Sequence, residues 1–224
     1  MTSPSSKRIP PMRHSTRHPR RPLLRIASWL VFAMGITALG YVAFTLIDAQ
    51  LYQAYAGWRL EKAIASERLS PPEVPSGDRP VLSARVEPIS PVIPGSTVGR
   101  IQIRRLGLNV MILEGVDTKT LRRGVGHVPG TALPGQYGNA ALAGHRDTFF
   151  RELRNIRAGD NITLTTAKGT YYYRVDSTRV VPPDDTSVLQ DSADPILTLV
   201  TCHPFEFVGS APDRFIVRAH REQN

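Results

Sequence analysis

The sequence predicts a mainly β protein: a closed or nearly closed β-barrel with short helical turns, preceded by an N-terminal transmembrane helix. Three observations carry this expectation. Residues 26–47 form one uncharged apolar run. A Pro-rich stretch at 70–96 then interrupts regular structure, since proline suits neither a central strand nor a helix interior. Beyond it, seven or eight short apolar segments recur between Gly, Pro, Asp and Asn turn signals, the pattern of a small barrel.

Residues 1–25 hold Lys7, Arg8, Arg13, Arg17, Arg20, Arg21 and Arg25 and no Asp or Glu. They account for +7 of the formal +9, which leaves the rest of the chain at only +2. The high pI therefore belongs to a tail. A basic tail can serve as a nucleic-acid arm, but the apolar run directly after this one favours a membrane reading and no nucleic-acid partner. Ile26 to Ile47 is 22 residues without a charged side chain. At the α-helical rise this reaches about 33 Å, enough to cross a hydrocarbon core of about 30 Å. With the basic cluster before the span, the positive-inside rule puts the N-terminus in the cytoplasm and residues 48–224 outside, on a single-pass protein of the cytoplasmic membrane. Ala54-Tyr55-Ala56 has the small-x-small form of a signal-peptidase site. The apolar run, however, is longer than the roughly 7–15 residues of a signal peptide, so a retained anchor in the lipid bilayer is expected.

Residues 48–69 read as a juxtamembrane helix with Leu51, Tyr55, Trp58, Ala65 and Leu69 near one face, a spacer that rests on the membrane or on the domain. The linker at 70–96 is extended and semi-rigid. The folded domain covers 97–224. Its strands are expected at 98–103 and 109–113 around a Gly107 turn, at 139–143, at 162–166 and 171–181 as a hairpin across Lys168-Gly169, at 196–201 and at 215–219. One short helix is expected over 117–123 with Asp117 as its N-cap.

Three side chains at strand ends could carry chemistry. Cys202 is the sole cysteine, so no intramolecular disulfide can form. In an exported chain a lone thiol is either a buried small hydrophobe or a working group. It ends the strand Leu197-Thr198-Leu199-Val200-Thr201, and Pro204 stops the ladder just beyond. His145 follows the small-residue strand Ala141-Leu142-Ala143 and Gly144, which allows close backbone approach. An imidazole there could take the thiol proton or pair with the thiolate, and could later protonate a leaving amine. Arg214 starts the last strand, 12 residues after Cys202. A hairpin-like return would bring its guanidinium beside the thiol, where it could hold an oxyanion but could not act as a base. Taken singly, each residue has a structural alternative: a core thiol, a hydrogen-bonded histidine, or a salt bridge from Arg214 to Asp213, Glu206 or Asp194.

Thr198-Leu199-Val200-Thr201-Cys202 resembles the TLxTC signature of sortases. Arg214 lies at the spacing of that family's essential arginine, and Ala143-Gly144-His145-Arg146 resembles the segment that bears its essential histidine. The likeness is greatest to class D sortases. It extends through Gly126-His127-Val128-Pro129-Gly130, Gly144-His145-Arg146-Asp147-Thr148 and Thr201-Cys202-His203-Pro204-Phe205, in order, from about Gly99 to Ala219. The resemblance implies an eight-stranded sortase barrel. It implies a cysteine transpeptidase that cleaves an LPxTG-like sorting signal on a secreted protein through a thioacyl-enzyme. The protein would then pass to an amine nucleophile of the cell envelope, a pilin or a spore-coat component. Cys202 would be the nucleophile, His145 the proton donor and acceptor, and Arg214 the stabiliser of oxyanion or substrate. Thr201, His127 and His203 are the expected substrate-binding neighbours, with a structural role as the other reading of His127. His203 stands where class D members often carry Tyr, and it should point to the opposite face from Cys202.

No cofactor is expected. Cys202, His203, His145 and His127 could be drawn as a zinc set, but ligand pairs at standard spacing are missing. No carboxylate cluster makes a persuasive calcium site. A plain cysteine endopeptidase and a catalytically silent, peptide-binding envelope scaffold are the alternatives.

Overall fold

The computed structural model describes residues 21–69, 93–207 and 209–222. Most of the basic tail and nearly all of the Pro-rich linker lie outside them. The chain divides into two compact units, residues 1–45 and 46–224. Helix α1, Arg21–Leu69, belongs to both. In the first unit the apolar side chains of residues 26–44, Trp29, Leu30, Phe32, Met34, Leu39 and Phe44 among them, are all exposed. An apolar surface on every side of a helix is what lipid requires, and the helix is long and apolar enough to cross a membrane.

The second unit is a closed barrel of eight strands: β1 Thr97–Ile103, β2 Leu108–Glu114, β3 Val125–His127, β4 Asn139–Ala143, β5 Asn161–Thr166, β6 Gly169–Val181, β7 Ile196–His203 and β8 Asp213–Arg221. They run around the barrel in the order β1-β2-β3-β4-β7-β8-β6-β5, and β5 returns to β1. Two neighbour pairs are parallel, β2 with β3 and β4 with β7. The short helix α2, Thr118–Arg123, begins where expected, with the Asp117 carboxylate accepting from the Lys119 and Thr120 amides. The Gly107 turn is present as a 3-10 turn, Arg104–Leu106, closed by Gly107 at φ 65°. A conformation of that kind suits glycine. Strand β3, only three residues long, has no counterpart in the sequence-based expectation, because alternation cannot be recognised over so short a run.

Side chains alternate in and out along each strand. Ile101 and Ile103, Val110 and Ile112, Ala140 and Leu142, Ile162 and Leu164, Leu197 and Leu199, and Val217 and Ala219 fill the interior. Phe150 and Leu153, from the connection after β4, are fully buried in the same core. A buried aromatic or leucine stabilises by about 1.5–3 kcal/mol relative to exposure.

Residues 46–69 of α1 pack on the outside of the barrel, through a face other than that of Leu51, Tyr55 and Trp58. Leu51, Tyr55 and Trp58 are more than half exposed. The packed stripe is Tyr52, Ala56, Leu60 and Ile64 against Met111, a strict four-residue spacing that stays on one face. Gln53 reinforces it. Its Oε1 accepts from the Met111 amide at 2.8 Å, and its Nε2 donates to the Arg123 carbonyl. β3 pairs with β2 only from Ile112 onwards, so one side chain serves backbone groups that this short strand does not reach.

Candidate functional site

Three strands build the site. In β7, Leu197 and Leu199 point into the barrel, so Thr198, Val200 and Cys202 point outward. In β8, Val217 and Ala219 point inward, so Ile216 and Arg214 point outward. Cys202 and Arg214 are directly paired across the antiparallel ladder. Opposite residues of such a ladder have Cβ atoms about 4.5–5.5 Å apart. β4 lies on the other side of β7 in parallel register, Ala143 against Val200. The Gly144 amide donates to the Val200 carbonyl at 3.1 Å, and Thr201 Oγ1 donates to the Gly144 carbonyl at 2.7 Å. The same register carried forward brings His145 level with Cys202. The strand ends thus set Cys202 between His145 and Arg214.

The three groups keep hydrogen-bonding capacity to spare. Cys202 is a partly exposed free thiol. Among the described residues no hydrogen bond engages the His145 ring, and no carboxylate pairs with Arg214. Arg214 donates through Nη1 alone, to the Ala211 carbonyl at 3.3 Å and the Asp213 carbonyl at 3.0 Å. Nε and Nη2 therefore have no protein acceptor among those residues. The salt bridges foreseen for Arg214 do not form.

The expected substrate-binding neighbours fare differently. Thr201 is buried, and its hydroxyl donates to the Gly144 carbonyl, which aligns β7 with β4. His203 lies on the opposite face from Cys202, as alternation requires. It stacks on Phe215 at 6.2 Å, with Phe205 edge-on, and its Nδ1 is buried without a partner. His127 is not at the site. It is 2 % exposed and paired in register with Glu114 at the far end of β2. Its Nδ1 meets Glu114 Oε2 at 2.8 Å, and its Nε2 meets the Ala132 carbonyl at 3.0 Å. The structural role foreseen for His127 fits this placement, and a substrate-lining role does not. The four candidate zinc ligands do not converge either, because His127 and His203 face away from Cys202.

Two buried side chains to which the sequence assigns no role of their own fix the loops flanking β7. Asn139 Nδ2 donates to the Val188 and Gln190 carbonyls at 2.9 and 3.0 Å, and its Oδ1 accepts from Thr198 Oγ1 at 2.7 Å. This holds the β6–β7 connection. Arg146, next to His145, reaches the β7–β8 connection through the carbonyls of Pro204, Phe207 and Gly209. No local signal marks either contact, since the partners lie about 50 to 63 positions further along the chain. An apolar concavity of about 250 Å³, lined by Thr97, Val98, Leu133, Pro134, Lys168 and Tyr171, lies at the other end of the barrel from Cys202.

A sortase domain model matches residues 101–222. Sortase D of Bacillus subtilis is 31% identical, with 88% of this chain and 98% of that protein covered. Among solved structures, a Clostridium perfringens Sortase D5 transpeptidase superposes with a TM-score of 0.55 at 31% identity, covering 59% of this chain and 82% of that one. A Clostridium perfringens sortase C structure with the C-terminal cell wall sorting motif gives a TM-score of 0.55 at 28% identity, covering 60% and 75%. Barrel and matches together define a cysteine transpeptidase. The chain belongs to the sortase family, and Sortase D is among the relatives it resembles. Enzymes of this family act on proteins that carry sorting signals.

Proposed function

We propose that the protein is a membrane-anchored transpeptidase that cleaves an LPxTG-like sorting signal and joins the released protein to an amine of the cell envelope or of a pilin. The Cys202 thiolate attacks the carbonyl carbon of the signal's Thr. Arg214 stabilises the oxyanion through its uncommitted nitrogens. The C–N bond to the following Gly breaks as His145 gives its proton to the departing amine, leaving a thioester on Cys202. An incoming amine loses a proton to His145 and attacks the thioester. A new amide forms, and the thiolate is restored. The N-terminal helix holds the enzyme in the cytoplasmic membrane with its barrel outside.

One observation carries this reading: the register that sets Cys202 opposite Arg214, at the level where β4 delivers His145. The test is mass spectrometry of the intact enzyme after incubation with a panel of LPxTG-like peptides. The expected result is an acyl adduct on Cys202 that an added amine discharges as a new amide. Resolution by water alone, whatever amine is supplied, would favour an endopeptidase. No adduct from any peptide on well-folded enzyme would overturn the proposal.

A further inference from the structure

Arg146 is a buried cation without a buried counter-ion. It is 5 % exposed, and its ion-pair partner, Asp147, is 3.6 Å away with a side chain that is 74% exposed. A pair so open to water contributes little. The charge is met instead by backbone dipoles. Nη1 donates to the Pro204 carbonyl at 2.8 Å, and Nη2 donates to the Phe207 carbonyl and to the Gly209 carbonyl at 3.0 Å. The guanidinium also lies over the Phe207 ring, 5.9 Å from its centre. All these partners belong to the loop between Cys202 and Arg214. Within that loop, among the described residues, one long backbone hydrogen bond is formed, from the Phe207 amide to the Pro204 carbonyl at 3.4 Å. The far limb of the loop in turn supplies the Ala211 carbonyl, at 3.3 Å, which with the Asp213 carbonyl at the start of β8 orients Arg214.

We infer that Arg146 is a positioning residue of the transfer site. It fastens the β7–β8 loop to the end of β4, and through that loop it fixes the Arg214 guanidinium opposite Cys202. Its position immediately after His145 ties all three working groups to one rigid junction. A guanidinium suits the task, because its planar fork serves several acceptors at once and it stays charged at any working pH. Lysine, a single point charge, could hold one carbonyl well but not all three.

The inference rests on the transfer reading for its kinetic consequence but not for its structural one, so two measurements separate them. In the full-length enzyme in nanodiscs, Arg146→Met should raise amide hydrogen exchange over residues 205–212 while the barrel strands stay protected. With a peptide that acylates the unaltered enzyme, it should lower kcat by about 100-fold, the scale of a misplacement near 1 Å, with KM changed by less than about threefold. Arg146→Lys should recover only part of the loss. In an Arg214→Ala background, Arg146→Met should cost almost nothing further, because its effect passes through Arg214; a merely structural role would give additive losses. If Arg146→Met does not fold, Arg146→Gln is measured in the same way. Unchanged loop exchange, or additivity with Arg214→Ala, would overturn the inference. If the unaltered enzyme acylates with no peptide, the transfer reading fails, and hydrogen exchange still decides whether Arg146 holds the loop.

Discussion

At Gly144 an added Cβ would lie 2.7 Å from Phe150 Cδ2 and 2.9 Å from its Cγ. The ring is fully buried in the core and has nowhere to retreat. Gly144 also carries both hydrogen bonds that lock the end of β4 to β7. Gly144→Ala should therefore destabilise the barrel by about 1–3 kcal/mol, the usual cost of overpacking, and should reduce peptide turnover by displacing His145. Chemical denaturation and a peptide assay on the same preparation would check both; unchanged stability would mean that the ring yields. The need for a small residue here was legible in the sequence, as was the placing of Cys202, His145 and Arg214 at strand ends, because strand ends and turn residues leave local marks; roles for the three came only with the family resemblance. The contacts of Asn139 and Arg146 were not, and for His127 two readings stayed open. What decides their roles is a partner brought close by non-local pairing, as when the parallel register of β2 and β3 sets Glu114 beside His127.

Among the elements, the segment 46–69 shows how much periodicity leaves open. Its sequence carries two apolar stripes, and periodicity does not say which one meets protein. Tyr52, Ala56, Leu60 and Ile64 do, while Leu51, Tyr55 and Trp58 stay open. Tyr52 also donates to the Gly95 carbonyl at 2.9 Å, just before β1. Gln53→Leu keeps an apolar body against the barrel but strands the Met111 amide and the Arg123 carbonyl. Leaving such groups unsatisfied should destabilise the protein by about 2 kcal/mol. The urea midpoint should fall at constant m-value, since the same surface unfolds. An unchanged midpoint would show that water serves both groups and that the helix is only a spacer.

Over the whole molecule, the strand count suited a closed barrel, but the order of the strands was out of reach of local patterns. The parallel β4–β7 neighbours that create the site are far apart in sequence. The same is true of the seam between β1 and β5, which has three register pairs. One ion pair fastens the end of that seam. Arg105, in the turn after β1, donates through Nε and Nη2 to the two Asp160 oxygens at 2.6 Å each, and the Arg157 amide donates to Asp160 at 2.8 Å. The Arg105 guanidinium holds the Asp160 carboxyl below its ordinary range. The Thr120 hydroxyl does the same for Asp117 and the Ser187 hydroxyl for Asp185. A carboxyl whose pKa is lowered by folding contributes stability that is complete above its unfolded value, about 3.9, and is lost as pH falls through the lower folded value. The Tm should thus be level from neutral pH down to about 5 and should then drop through the acid range. Asp160→Asn should lower the Tm at pH 7 and flatten the acid slope, so that its curve meets that of the unaltered protein at the acid end. Parallel curves at every pH would place the acid sensitivity in other carboxylates and leave the seam without this clasp.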